Sequence, residues 1–476
     1  MQSFSTIDIA IFWAYLLVIL GIGIRASRSV KSLQDYSVGG RSYSAFFVFA
    51  TLSASFIGGG FSMGLSEKVF TLGLAYVFAL WGFSVKEILI ARLIAPRMKP
   101  FENAMSVGDI MGQLYGSSAK VFTGIAGALV CAGIAGAQFS AFGYVANMLI
   151  GIPTSVGIIV GALVVILYST LGGMRSVVIN DTVHFCVLII ALPLVAIFGL
   201  YHVGGIGTLW DKIPPTHGSI VSSVPLLTLL GLFLSFFFGE TLVPPYVQRL
   251  LIGKTFHETS KGTLLSGLLS IPFFFMIGLI GLIALALSPT LNANLSLPFV
   301  IQTVMPTGLK GLAIAGMMAV LMSSADSFLN AAAVSAVHDV IKPLRQQAFS
   351  LKTELGATRW ATFLMGTAGV VFAMRSESVL DVLLYAYNFW TPFILVPLVG
   401  GIMGYKASRK TFWISSFSGI CGMIGWKLFA SADGKFDAAI AGITCNLIVY
   451  LVLRWSEKNS LARLEALPEK MVQSEN

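Results

Sequence analysis

From residue 7 to residue 454 the chain repeats one pattern: an apolar run of roughly 20 residues, the length that spans a bilayer core as a helix, then a short polar segment. Read as helices, these runs predict about thirteen spans, near 7–24, 45–66, 71–94, 118–148, 153–171, 180–201, 224–248, 262–287, 309–340, 357–374, 379–404, 411–430 and 435–454. The connections are short apart from 25–44, 95–117, 202–223, 288–308 and 341–356. No soluble domain is expected between spans. The fold class predicted is therefore an all-α integral membrane protein.

Composition agrees with the pattern. Hydrophobic residues make up 56% of the 476 positions and charged residues only 11%, against about 25% charged in a soluble domain. Mean hydropathy is +0.86. The net charge of +9 resides in short loops beside apolar runs, so it does not read as a nucleic-acid surface. Cys131, Cys186, Cys421 and Cys445 all fall within predicted spans and read as small packing residues rather than a disulfide framework or metal site. The start, MQSFSTIDIAIFWAYLLVILGIGI, has no basic n-region or small-residue cleavage site and reads as a retained first span.

Placing the N-terminus outside gathers most of the 30 Lys and Arg residues on one face: Arg25, Arg28, Lys31 and Arg41, then Arg92, Arg97 and Lys99, then Arg249, Lys254 and Lys261, then Lys342, Arg345 and Lys352, then Lys406, Arg409 and Lys410. The positive-inside bias makes that face cytoplasmic. The expectation is a multi-pass protein of the plasma (inner) membrane, N-terminus outside and C-terminus in the cytoplasm.

Two spans carry interruptions. The second has Gly58-Gly59-Gly60 at its middle, and the seventh has Gly239-Glu240 followed by Pro244-Pro245. Both residue types weaken a helix, and open backbone at membrane depth survives only where it lines a cavity or ligand. The breaks open two sets of five helices, 45–201 and 224–404. Matching interruptions in two halves point to inverted repeats with a solute site between them; packing glycines and a proline kink are the plainer explanation. The division expected is 1–44 (first helix and cytoplasmic loop), 45–201 (repeat one), 202–404 (extracellular loop and repeat two) and 405–476 (two peripheral helices and a tail).

The ninth span contains LMSSADSFLN, with Ser323, Asp326, Ser327 and Asn330 at i, i+3, i+4 and i+7, hence on one face. A central Asp costs ~2.5–3.5 kcal/mol on insertion scales. An oxygen-rich cation site offsets that cost, since a hard, non-redox cation prefers oxygen ligands. The alternative is local: Ser324 bonding back to the Val320 carbonyl, with Asp326 facing an internal water pocket. Asp181 likewise reads either as an ion ligand or as a helix-start carboxylate paired with Arg175.

These motifs together, SASFIGGGFSMG (53–64), LYSTLGGMRSVVINDTVHF (167–185), PPYVQRLL (244–251) and AVLMSSADSFLNAAA (319–333), resemble the sodium:solute symporter family over nearly all of residues 5–455. The resemblance implies a LeuT-like core of two inverted five-helix repeats with two broken helices, and Na+ as the coupling ion. It implies a main Na+ site at the carbonyls of Ala54, Ile57 and Val320 and the hydroxyls of Ser323 and Ser324. A second site would match Asp181, Ser323, Asp326 and Ser327, with Asp326 standing where relatives often place a hydroxyl.

In this architecture solute contacts come from the broken helices and from spans 3, 4, 8 and 11, which makes Phe56, Phe61, Phe83, Gln138, Glu240, Val243, Tyr246 and the run Tyr385, Tyr387, Asn388, Phe389, Trp390 the candidates. The patterns IGGGF and MSSADS are most similar to the choline-transporter branch, whose aromatic cage binds quaternary ammonium by cation–π attraction. The matching positions, Phe56, Phe83, Ile134 and Val243, keep part of such a cage. Glu240 could face a substrate amine and Lys86 a carboxylate; Lys86 snorkelling and Glu240 capping amides are the structural alternatives. His184 and His338 fall near expected helix ends and His202, His217 and His257 in loops, so no catalytic set is visible and no enzyme is expected. The function expected is Na+-coupled import of a small polar organic solute of amino, zwitterionic or quaternary-ammonium type. The alternatives are proton coupling through Asp326 or Asp181, or an uncoupled channel or sensor-like relative. The partners expected are the solute and the lipid bilayer.

Overall fold

The computed structural model describes residues 5–219, 224–345, 349–375, 390–429 and 437–465. In chain order the helices are α1 (Thr6–Ser27), α2 (Leu33–Val38), α3 (Ala45–Phe56), α4 (Leu65–Leu72), α5 (Ala75–Leu89), α6 (Val107–Tyr115), α7 (Ser117–Ile150), α8 (Thr154–Val203), α9 (Ile206–Lys212), α10 (Leu226–Phe238), α11 (Pro244–Leu250), α12 (Phe256–Leu287), α13 (Ser296–Val304), α14 (Leu309–Val334), α15 (Leu351–Ala373), α16 (Val396–Ile402), α17 (Arg409–Phe429) and α18 (Ala438–Glu465). Among the described residues six helices are long and apolar enough to cross a membrane, or seven with the bent α3–α4 pair. Shorter pieces such as α10 fall below a full span because they are broken.

Both expected breaks are present. α3 stops at Phe56, and the chain resumes as a wide-turn helix at Gly60–Gly64 that runs into α4, the two halves bent by 62°. α10 ends at Phe238 and α11 begins at Pro244, with Leu242 forced to a φ of 53° between them. Prolines at the first two positions of α11 need no helical N–H partner there.

The expected fifth and sixth helices differ from their predicted bounds. α8 is a run of 50 residues with non-helical backbone at Gly173 (φ 50°, ψ −144°). At 1.5 Å per residue such a run would reach about 75 Å, more than twice a bilayer core, so Gly173 is the point that divides it. A Cβ there would lie 2.6 Å from the Tyr36 ring. Because helix continues on both sides of that glycine, Asp181 and His184 are interior residues of α8 and not the helix-start residues expected.

α14 is the buried centre, packed against α7, α8, α1, α3 and α15. Its start is pinned to α1 by Asp8, whose Oδ1 accepts the backbone N–H groups of Gly308 and Gly311 at 2.8 Å each. The same carboxylate completes the capping box with Ser5 at the start of α1. All four cysteines are free; Cys131 is buried, while Cys186 and Cys421 face outward.

Candidate functional site

A helix leaves its last carbonyls without helical partners, and α3 ends where the sequence stacks three glycines. The carbonyls of Ala54 and Ile57 therefore belong to the open last turn, and that turn faces α14. Ser324 Oγ donates to the Ser55 carbonyl at 3.0 Å, in place of the bond back to Val320 that a local reading allowed. Gly58 permits this approach, since a Cβ there would sit 2.5 Å from Ser324 Oγ. Ala54, Ile57, Val320, Ser323 and Ser324 are all buried around this contact. Carbonyls and hydroxyls without a thiolate or imidazole suit a hard monovalent cation.

Beside it lies a denser polar cluster. Arg249, the last-turn residue of α11, is fully buried and donates through Nη2 to Asp181 Oδ2 at 3.0 Å, through Nε to Thr51 at 3.1 Å and also to Ser327. Thr51 donates to the same Asp181 oxygen, and Ser323 Oγ to Asp181 Oδ1 at 2.5 Å. Asp181 thus pairs with Arg249 and not with Arg175, which instead donates to Asp35 at 2.6 Å. Asp326 takes hydroxyl donors, Tyr168 at 2.7 Å and Ser327 at 3.1 Å. Asn330 turns to the Tyr36 carbonyl at 3.3 Å. Arg249, Thr51 and Tyr168 escape a sequence reading. The faint signal was that Arg249 follows the second break directly, yet its charge counts equally well as a cytoplasmic loop residue.

A cavity of about 520 Å³ reaches from both breaks to a rim at Lys68, Leu72, Tyr76 and Thr228. Of the proposed solute residues Phe56, Phe61, Gln138 and Glu240 line it, as do Ile134 and Ser324. Gln138 Oε1 also accepts the Gly59 N–H at 3.3 Å. Phe83 lies behind that wall, its ring 5.2 and 5.1 Å from those of Phe56 and Phe61. Tyr246 is behind it too and donates to Glu240 at 2.8 Å; Val243 and Trp390 are buried away from the cavity. Tyr385, Tyr387, Asn388 and Phe389 lie outside the described residues. Lys86 is buried against the Phe83 ring, 3.6 Å from its centroid, and pairs with Glu87 at 3.1 Å. It neither snorkels nor lines the cavity.

His338 belongs to a separate cluster. It meets Asp109 at 3.0 Å and Glu354 at 3.0 Å, with Asp339 alongside. Lys120 Nζ already fills the cation position there, 2.5 Å from Asp109 and 3.8 Å from Asp339. Burial pushes the Asp109 carboxyl up, but the bonds and charge of His338, with Lys120, outweigh it and hold Asp109 below the ordinary carboxylate range.

The sequence and the fold match known transporters. The sodium:solute symporter family model covers residues 36–419, and the chain belongs to that family. It is 27% identical over 408 residues to the human high affinity choline transporter 1, covering 80% of this chain and 69% of that protein. It is 23% identical over 458 residues to the sodium/proline symporter of Escherichia coli strain K12, covering 90% and 89%. A solved structure of a substrate-bound, outward-open Na+-coupled sialic acid symporter superposes with a TM-score of 0.83 at 20% identity, over 95% of this chain and 98% of that one. The fold is shared with that symporter, and Na+ is the coupling ion the family uses.

Proposed function

We propose that this chain imports a small organic amine or ammonium compound together with Na+, by alternating access of a thirteen-span, two-repeat core with its N-terminus outside and its C-terminus cytoplasmic. The observation that carries this reading is the open last turn of α3 against Ser323 and Ser324, at the floor of a cavity that Glu240 lines. The carbonyls of Ala54, Ile57 and Val320 and the two hydroxyls would hold Na+. The inward ion gradient, with about 2.3 kcal/mol per charge per 100 mV of potential, drives solute accumulation.

The charge layout narrows the solute within the class expected. Glu240 is the acidic side chain at the depth of the breaks, among Phe56, Phe61 and Phe236. Lys86 is engaged by Glu87 and a ring, and Lys68, the cation that lines the cavity, sits at its rim and pairs with Glu67 at 3.6 Å, so neither is free for the carboxylate of a zwitterion. A carboxylate amid aromatic faces recognises a cation. The buried Arg249–Asp181 pair lies on the other side of the breaks from the rim, and the proposed orientation puts that rim on the outer face.

Arg249 is paired with Asp181, while the carboxylate of Asp326, buried in the same cluster, meets only hydroxyl donors among the described residues. Asp326 therefore needs a further cation in this buried setting, or a proton. We assign Asp181, Ser323, Asp326 and Ser327 as the surroundings of that second cation, with a proton at Asp326 as the other reading. Uptake of a radiolabelled solute panel (quaternary amines, primary amines, zwitterions, sugars and carboxylates), with Na+ replaced by choline-free K+ buffer at two pH values, tests both. Na+-dependent uptake restricted to cationic solutes is expected; uptake of a sugar or carboxylate alone would overturn the solute class. Uptake without Na+ that grows with acidity would replace Na+ by a proton.

A further inference from the structure

The face that the Lys/Arg bias assigns to the cytoplasm carries an open cup of about 670 Å³, lined by Arg25, Arg28, Ser29, Lys31, Asp35 and Arg175. It is built from three pieces of chain. Arg25 sits in the last turn of α1, Arg28 caps that helix, and Lys31 precedes α2. Arg175 comes two residues after the Gly173 break in α8. Arg25, Arg28 and Lys31 lie within one short stretch of sequence, and the bend at Gly173 brings Arg175 to them from 144 residues further on.

The cup is strongly unbalanced in charge. Asp35 is its one carboxylate, and it is committed: Arg175 donates to it at 2.6 Å, and the N–H groups of Lys31 and Ser32 at 3.2 Å each. Among the described residues no carboxylate lies within ion-pair distance of Arg25, Arg28 or Lys31. The Arg175 Nε is buried without a hydrogen-bond partner. Arg25, Arg28 and Lys31 are solvent-exposed, but their charges converge on one hollow, where an anion would be held by several of them at once.

A second observation says what kind of anion. α1 and α8 pack closely above the cup, where Ser176 Oγ donates to the Gly23 carbonyl at 2.7 Å. Their outer surfaces beside it are apolar and exposed: Leu17 and Ile24 on α1, Leu167 and Leu171 on α8. The cup thus ends a greasy seam, and a ligand with a phosphate head and acyl chains fits both parts. Basic pockets at the end of membrane helices are the ordinary setting for anionic headgroups.

We propose that Arg25, Arg28, Lys31 and Arg175 bind the phosphate headgroup of an anionic phospholipid whose chains lie along the α1–α8 seam. Occupancy ties α1 to α2, and α2 carries Tyr36, which donates to the Ser169 carbonyl at 2.9 Å and accepts from Asn330 of α14. The lipid therefore braces the junction next to the buried ion cluster.

The test uses purified full-length protein in neutral detergent, with bound lipid counted by native mass spectrometry during titration with dioleoylphosphatidylglycerol or dioleoylphosphatidylcholine. Phosphatidylglycerol is expected to be retained at concentrations about tenfold lower, a difference that charge-assisted contacts of this number readily supply. The triple variant Arg25→Gln, Arg28→Gln, Lys31→Gln is expected to lose that preference; Lys254→Gln, Lys406→Gln, Lys410→Gln, with the same charge removed elsewhere, is expected to keep it. Equal retention of both lipids by the native chain, or a preference surviving in the cup variant, overturns the proposal. Thermal unfolding separates the sources: a rise in Tm with phosphatidylglycerol but not with inorganic phosphate or glycerol 1-phosphate supports the lipid. An equal rise with the soluble anions overturns the lipid assignment. All three cup residues are solvent-exposed, and an unchanged Tm of the variant in phosphatidylcholine shows that it folds.

Discussion

Arg249 and Asp181 form a fully buried ion pair at 3.0 Å, joining the second broken helix to the interior of α8. Two sequence neighbourhoods 68 residues apart thus meet beside the proposed Na+ site, with Thr51, Ser323 and Ser327 completing the hydrogen bonds. Burying two charges is costly unless geometry and extra donors compensate. Here the compensation comes from residues that also frame the proposed ion site, so on that proposal stability and coupling depend on the same side chains.

Removing one partner leaves a buried charge alone. Arg249→Gln is expected to destabilise the protein by about 3–5 kcal/mol, the usual cost of breaking such a pair. The Arg249→Gln, Asp181→Asn double variant is expected to recover part of it. Thermal unfolding in detergent measures both; a double variant no more stable than the single one would show that the charges are not coupled.

Ser324→Ala removes a hydroxyl that faces the open turn of α3. The expected result is a rise of at least about tenfold in the Na+ concentration needed for half-maximal uptake, equal to losing roughly 1.4 kcal/mol of ion binding. Na+ titration of solute uptake reads it directly. Ser323→Ala should do the same and weaken Asp181 as well, since Ser323 donates to that carboxylate.

Gly58→Ala tests the close approach of the break to α14. Its Cβ would lie 2.5 Å from Ser324 Oγ and 3.3 Å from Ser324 Cβ, so the two helices must separate. Na+-dependent uptake is expected to be lost while the protein still inserts and folds, because the strain is local. Uptake with native Na+ dependence would mean that Ser324 rotates away at no cost.

Glu240→Gln keeps the acceptor for Tyr246 and removes the charge in the cavity wall. Affinity for a cationic solute is expected to fall at least about tenfold, with Na+ binding unaltered. Equilibrium binding of labelled solute and of Na+ to the purified protein separates the two.

Asp109 predicts a pH response. Its carboxyl is held below the ordinary range by His338 and Lys120 against the effect of burial. A depressed native value means the contribution is fully present above the unfolded pKa of about 3.9 and is lost as pH falls through the native value. Stability from this group should therefore be flat across neutral and mildly acidic pH. Asp109→Asn is expected to lower Tm at pH 7 and to narrow the gap to the native protein only in strongly acidic buffer.

The apolar runs, the two interruptions, the bias of basic residues and the polar stretch 323–330 are all properties of local sequence, and bilayer physics makes them informative. A helix must satisfy its own backbone, and an Asp in an oily run must have a reason. That is why the membrane class, both breaks and the polar face of α14 were legible from residues alone. Partners were not legible, because they are set by how helices distant in sequence pack. Asp181 reads beside Arg175, its neighbour in sequence, and only the fold brings Arg249 to it instead, since the bend at Gly173 turns Arg175 toward Asp35. Packing likewise placed Phe83 and Tyr246 behind the cavity wall and gave Lys86 to Glu87. The sequence determined where polar groups had to be explained; tertiary structure decided which group answers which, because burial makes each charge choose the nearest partner that the helices deliver.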